Sequence, residues 1–389
     1  MARRHPNPYR PGFNQTPVVF AGRVDVLDGA SEALEIAAYD ARTPRPLILL
    51  GPRGVGKTVT LGEIASLAAE DHAWPTVHVE ARTREFLPEL TRRLKHARQL
   101  LEGDAGSEQG AGRARVTGSK VEARAFGIGA GVELQFDRPE EQPDQDFGTA
   151  LRQVMQVAVD RNAGLLLTLD ELQNASMDDL TTLAATLQES VPRDWPLVVA
   201  VAALPSLRRS RGRNALPTYL ERAEWHELRA LPAVDARQAL VEPARQSHRP
   251  MTEEAAGALL DIAGGYPYAI QVAGHYAWRS SHGAAQITLA HARQAQPRIE
   301  ADLEQLFSSR WADASERQRD YLRAIARAAH HHGRPPTGGE VAAELGTSTK
   351  SVSYLADRLL KKGTIYRDGA GRLHFITPGM GPWIRSLSD

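Results

Sequence analysis

The sequence predicts an α/β protein in which a parallel sheet interleaved with helices leads into a run of helices and then a small helix-and-hairpin unit. Three observations carry that expectation. Short unbroken apolar runs, LILL at 47–50, LLLTLDE at 165–171 and LVVAVAAL at 197–204, alternate with segments whose apolar residues recur at helical spacing, as buried parallel strands and their crossover helices do. A glycine-rich loop, GPRGVGKT, joins the first run to a helical pattern, VTLGEIASLAAE. Past about residue 232 the strand signals stop, and from about Ala312 a shorter rhythm takes over. Three domains follow, at 1–232, 233–311 and 312–389.

Composition bounds the function classes. At 389 residues the chain has room for two or three separate cores. Its 47 basic and 47 acidic side chains cancel, so any contact with nucleic acid must come from local patches and not from a global field. No apolar run approaches the ~18 residues of a membrane span, and no membrane partner is expected. The start, MARRHPNPYRPGF, is basic without the apolar stretch of a secretory signal. The chain has no cysteine, which excludes disulfides, thiolate zinc sites and cysteine nucleophiles and fits a cytoplasmic location.

In chain order, residues 1–17, rich in Pro, Asn and Arg, read as an extended arm, and a helix is expected over Asp28 to Ala41 with Leu34, Ala37 and Ala38 inward. After the first strand, loop and helix come a strand at TVHVE and a helix at TREFLPELTRRLKHARQLL. Residues 103–146 break the rhythm as an insertion: a flexible loop, a glycine-rich alternation that reads as a surface hairpin, and an acidic linker. A helix from Phe147 to Asp160, the LLLTLDE strand, a helix from Met177 to Ser190, the LVVAVAAL strand and a strand-like WHELRAL complete the core. The sequence is then helical through about Ala301, with breaks at Gly264 to Pro267 and at Gly283.

The loop carries the chemistry. Gly51, Gly56, Lys57 and Thr58 satisfy the P-loop spacing, and Pro52, Arg53, Gly54, Val55 and Val59 complete the segment that would wrap a phosphate. Glycines let backbone N–H groups turn inward around the β-phosphate, and the helix start adds its positive dipole end. Lys57 is expected to reach the β- and γ-phosphate oxygens of ATP or ADP, and the Thr58 hydroxyl to ligate Mg²⁺. Asp170 and Glu171 emerge at the carboxyl end of their strand, where ligands of such sheets bind. Asp170 would hold Mg²⁺ through water, and Glu171 would polarise the attacking water. The acidic pair favours hydrolysis over phosphorylation of a small molecule.

This order of P-loop, Asp-Glu strand, further apolar strand and helical region resembles the AAA+ ATPases. PVVFAGRVDVL resembles the box that precedes the P-loop in that family and lines the adenine pocket, which implies nucleotide contacts for Phe20 and Arg23. GGYPYAIQVAGHYAW is similar to the helical lid of the archaeal and bacterial origin-recognition-like ATPases, related to the STAND class, and implies a contact for Pro267. Two departures stand out. The sensor-1 position falls among the alanines of VVAVAALPS, with Ser206 a weak candidate, and Tyr268 follows Pro267 where many relatives carry arginine. Both imply slow hydrolysis, because transition-state charge on the γ-phosphate has fewer donors. The arginine-rich run SLRRSRGRNALPTYLERAEWHEL offers Arg222 as an arginine finger acting in trans on a neighbouring subunit, with Arg208 and Arg209 next; solvated arginines of an exposed loop are the plainer reading.

From Ser315, an N-cap, the sequence reads as a helix with Tyr321, Leu322, Ile325 and Ala329 on one face. A short helix, GEVAAELG, and a second helix capped by Thr347 or Ser348, with Val352, Leu355, Ala356 and Leu359 inward, follow. TIYRDGAGRLHFIT closes the segment as two strands around DGAG. The segment resembles winged-helix DNA-binding domains, which implies that Thr349, Lys350, Ser351, Ser353, Tyr354 and Arg358 face double-stranded DNA, with Arg367 and Arg372 beside the wing tip. From Asp313 onward there are 12 Lys or Arg against 8 Asp or Glu, a mild excess in that direction. Contact with a protein partner is the alternative. The adjacent His330, His331 and His332 cannot all face one ion from a helix and read as a solvated helix end. Taken together, the expectation is an ATP-dependent, DNA-binding switch or loader; a STAND-type signalling ATPase is the alternative.

Overall fold

Five short strands form one parallel sheet in the order β2-β3-β4-β1-β5: β1 (Leu47–Leu50), β2 (Thr76–Glu80), β3 (Leu165–Asp170), β4 (Leu197–Ala203) and β5 (Glu224–Glu227). The computed structural model describes residues 6–12, 15–40, 42–81, 85–103, 146–209, 215–377 and 379–387; the expected hairpin of 103–146 lies outside these. Every residue of β1, β3 and β4 is buried, which is why these strands show no polar alternation. Alternate side chains point to opposite faces. Leu47, Leu49, Val198 and Ala200 pack with α1 (Val24–Tyr39) and α2 (Lys57–His72). Ile48, Leu50, Leu167 and Leu169 pack with α3 (Phe86–Gly103), α4 (Phe147–Asp160) and α5 (Met177–Gln188). A four-residue helix, α6 (Thr218–Glu221), leads into β5.

Four helices follow: α7 (Ala233–Gln246), α8 (Glu253–Ala263), α9 (Pro267–Ser280) and α10 (Leu289–Ala312). The breaks fall at Gly264 and Gly283 as expected, both at positive φ. α10 does not stop near Ala301 but runs on, because Leu303 and Phe307 continue its buried stripe. The last unit holds α11 (Glu316–His332), α12 (Gly338–Glu344), α13 (Thr349–Lys361), an antiparallel pair β6 (Ile365–Arg367) and β7 (Leu373–Phe375), and α14 (Met380–Ser386). α14 was not anticipated. At seven residues it is too short to show a period, and it is fixed by packing: Trp383 meets Phe307 at 5.8 Å and Trp311 at 6.1 Å, while Met380 and Ile384 are buried.

The amino-terminal arm is extended and anchored to the helical domain. Tyr9 is buried, its hydroxyl donating to the Leu240 carbonyl of α7. Asn7 Nδ2 donates to the His275 carbonyl at 3.2 Å, and Arg10 N donates to Gln271 Oε1 at 3.0 Å. Gly274 of α9 is required here, since a Cβ would lie 2.3 Å from the Tyr9 ring. Tyr9→Ala should therefore cost the helical domain about 3 kcal/mol, and Tyr9→Phe about 1 kcal/mol. Hydrogen exchange of α7 and α9 amides would show it, and equal protection in all three proteins would refute the anchoring role.

Candidate functional site

The P-loop is bent by its glycines and braced from behind. Gly54 and Gly56 have φ of 79° and 96°, the left-handed region open to glycine, and Gly56 is the residue from which α2 starts. Gly51 lies so close to the chain after β5 that a Cβ would meet the Leu228 carbonyl at 2.7 Å. Gly56 has nothing within 4 Å of its missing Cβ, so the loop opens there. Lys57 is buried and folds back over the loop, Nζ donating to the carbonyls of Gly51 and Pro52, each at 3.0 Å. That engages two of its three donors and leaves one for a phosphate oxygen. Burial lowers its pKa, opposed by the charges of Glu171 and Asp170.

Asp170, buried at the end of β3, is satisfied on both oxygens. Thr58 Oγ1 donates to Oδ2 at 2.5 Å and the Glu171 N–H donates to Oδ1 at 2.7 Å. The hydroxyl and carboxylate expected to serve a metal are thus in contact, and the set suits Mg²⁺, which takes one or two carboxylates plus phosphate oxygens and water. Glu171 itself sits at φ 52°, a left-handed conformation that strains a side-chain-bearing residue. Gln173 holds it there. Its Nε2 donates to Glu171 Oε2 at 2.6 Å, and its Oε1 accepts the Leu204 N–H at 2.8 Å. Gln173 escaped the sequence reading, because a glutamine two residues past an Asp-Glu pair carries no pattern of its own. It lies where a polar side chain on β4 was sought, and the strand end there is indeed Ala202 and Ala203, both buried, with Ser206 half-buried beyond it.

These groups face a cavity of about 730 Å³, within the size range of small-molecule sites. Phe20, Arg23, Arg53, Gly54, Val55, Gly56, Lys57, Thr58, Val59, Asp170, Glu171 and Pro267 all line it; Gly51 and Pro52 instead line a cleft on the far side of the loop. Arg23 clasps backbone, its Nη2 donating to the carbonyls of Val55 at 3.3 Å and Arg229 at 2.7 Å. The helical domain closes the other wall. Tyr268 N donates to the Gly54 carbonyl at 3.3 Å, and the buried Tyr266 puts its hydroxyl 2.7 Å from where a Gly54 Cβ would be. Arg310, near the end of α10, is on the same wall and was also missed. Arg222 is exposed at the end of α6 and does not line the cavity, and Arg208 lies 5.4 Å over the Trp225 ring.

On the C-terminal unit, Thr349, Lys350, Ser351, Ser353, Tyr354 and Arg358 all lie exposed along α13. Tyr354 sits between two cations, its hydroxyl 3.4 Å from Arg317 Nη1 and its ring 5.8 Å from the Arg358 guanidinium. Ser348 caps α13, accepting from Ser351 N. Arg367 and Arg372 are half-buried, Arg372 Nη1 donating to the Pro335 carbonyl at 3.2 Å. His331 pairs with Glu344 at 2.7 Å, and no cluster of three metal-binding side chains occurs among the described residues. Nor is any helix among them long and apolar enough to cross a membrane.

Residues 20–201 match the family described as AAA ATPase domain, and residues 304–384 match a domain of unknown function, DUF8462. No curated protein matches the chain. Solved structures are similar over nearly its whole length. The Walker-type ATPase paby2304 of Pyrococcus abyssi is 17% identical, with 94% of this chain and 96% of that one covered at a TM-score of 0.59. The Aeropyrum pernix ORC2 protein, solved in ADPNP–ADP complexes, is 16% identical, with 97% of each covered at 0.57. Cdc6p from Pyrobaculum aerophilum is 14% identical, with 97% and 96% covered at 0.50. Residues 20–201 are therefore similar to AAA ATPase domains, and the chain as a whole has the fold of these solved structures.

The two loop glycines should respond differently to a methyl group. Gly56→Ala meets only the left-handed penalty of about 1 kcal/mol, whereas Gly54→Ala also displaces the Tyr266 hydroxyl. Without nucleotide, Gly54→Ala should melt at the lower temperature, and a Tyr266→Phe background should narrow the gap. A gap unchanged in that background would show that the Tyr266 hydroxyl does not press on the loop.

Proposed function

We propose that this chain is an ATP-dependent switch or loader that hydrolyses slowly and grips duplex DNA through its C-terminal unit, used as a winged helix. One observation carries the reading: the end of α10 is both a wall of the nucleotide cavity and the support of the C-terminal unit. Leu306, Ser309, Arg310 and Asp313 line the cavity. Lys362, just past α13, donates from Nζ to the Asp313 carbonyl at 2.7 Å and to Gln318 Oε1 at 3.0 Å. A shift of α10 on nucleotide exchange would thus move the helix whose exposed face carries Lys350 and Arg358.

Lys57 and the loop amides bind the phosphates of ATP or ADP, Thr58 and Asp170 hold Mg²⁺, and Glu171 orients the attacking water. The metal neutralises charge on the phosphate oxygens when bound. Turnover is slow because β4 ends in alanine, Tyr268 replaces a cation at the first turn of α9, and Gln173 restrains the Glu171 carboxylate. Arg222 is exposed and lies outside the chain's own cavity, which supports a role on a neighbour's.

Glu171→Gln should bind ATP as tightly as the parent and fail to turn it over; hydrolysis at the parent rate would show that Glu171 is not the base. If Arg222 acts in trans, ATPase activity should rise faster than linearly with protein concentration, and strict linearity unaffected by Arg222→Ala would refute it. For DNA, affinity should fall at least about tenfold for a fourfold rise in salt when two or more phosphates are neutralised. It should also change with nucleotide and disappear in Lys350→Glu, which keeps its ATP binding.

A second reading, a signalling ATPase whose C-terminal unit packs internally, has its own support. A Cβ on Gly363 would lie 3.0 Å from Leu204 Cδ1, and Tyr366, Phe375 and Ile376 line the cleft behind the P-loop with Gly51 and Pro52. Absent or salt-independent DNA binding in every nucleotide state favours that reading.

A further inference from the structure

We propose that Arg310 is the residue by which this chain tells a nucleoside triphosphate from a diphosphate, donating to the terminal phosphate from the last turn of α10. The inference deepens the nucleotide reading above and rests on it. Arg310 is half-buried, lines the cavity, and has its Nη1 enclosed without a hydrogen-bond partner. It forms no ion pair among the described residues, although Asp313 stands three positions on and lines the same cavity. Several other half-buried arginines are satisfied by backbone, Arg23 by Val55 and Arg229, Arg249 by Trp278, Arg319 by Trp311 and Arg385 by Ala326, and Arg98 and Arg323 by side chains.

An enclosed guanidinium without a counter-charge is costly. Burial depresses the Arg310 pKa, Tyr266 opposes that, and the like charge of Arg53 adds to it. Such a group is retained where an anion arrives, and the planar guanidinium fork matches the oxygens of a phosphate. Its neighbours fix which part of the nucleotide it meets. The apolar end of the cavity is marked by Phe20, Ala21, Leu231 and Ala239, and Gly22 sits against Leu231. Arg310 lies near Tyr266, whose hydroxyl touches Gly54 of the phosphate loop, and within electrostatic range of Arg53 of that loop. Because Lys362 grips the carbonyl of Asp313, an anion drawn to Arg310 acts one turn from the junction with the C-terminal unit.

The test is direct titration of the full-length protein with a fluorescent ADP and a fluorescent, slowly hydrolysed ATP analogue, both with Mg²⁺. A charge-assisted hydrogen bond contributes about 1.5–3 kcal/mol, so Arg310→Ala should weaken the triphosphate about tenfold or more while leaving ADP within about twofold. Arg310→Lys, which keeps the charge and loses the fork, should recover part of the difference. Equal losses for both nucleotides would mean that Arg310 only supports the lid, and no loss for the triphosphate would mean that it does not reach the phosphate; either overturns the proposal. Should Arg310→Ala fail to fold, Arg310→Lys decides: a preference for the triphosphate reduced about threefold or more supports the assignment, and a preference equal to the parent's overturns it. Lys57→Ala separates the two levels of the reading. If the parent binds neither nucleotide, or Lys57→Ala binds both as the parent does, the nucleotide reading itself falls.

Discussion

Asp170 is a buried carboxylate at the end of an apolar strand, and the structure is arranged around satisfying it. Left bare, such a group would cost several kcal/mol; here Thr58, in the first turn of α2, and the backbone of Glu171 take its two oxygens. The Thr58 bond reaches across β4, which lies between β1 and β3, and so fixes the phosphate loop against the acidic pair. The same arrangement forces Glu171 into its left-handed turn. From there Gln173 carries the constraint to the end of β4, and Leu204 carries it into contact with Gly363 of the C-terminal unit.

The helical domain is held to this core by backbone and hydroxyl contacts more than by charge. Tyr268 N and the Tyr266 hydroxyl touch Gly54 from one side, and Arg23 binds the Val55 carbonyl from the other. Tyr268 and Tyr276 both donate to Asp302, joining α9 to α10, so whatever moves the first turn of α9 moves the long helix as well. The amino-terminal arm adds a clamp on the outer face, with Tyr9 wedged between α7 and Gly274. The cavity, the helical domain and the C-terminal unit are therefore mechanically continuous.

Much of this was legible beforehand. The unbroken apolar runs named β1, β3 and β4, and the spacing from Gly51 to Thr58 named the loop, because both depend on short-range rules: burial on two faces, and backbone angles open only to glycine. The exposed face of α13 was legible for a similar reason, since Val352, Leu355, Ala356 and Leu359 mark the buried face at helical spacing. The length of α10 and the existence of α14 were not, because Phe307, Trp311 and Trp383 become a cluster only when the two elements meet.

The sequence by itself determined the fold class: strands, phosphate loop, acidic pair and the amphipathic α13 follow from residue type and spacing within a few turns of chain. Tertiary structure decided how they work together. Gln173 is 31 residues from Leu204, and Arg310 lines the same cavity as a loop some 250 residues earlier in the chain. No local pattern encodes such pairings, because each depends on which side chains packing leaves buried and in need of a partner.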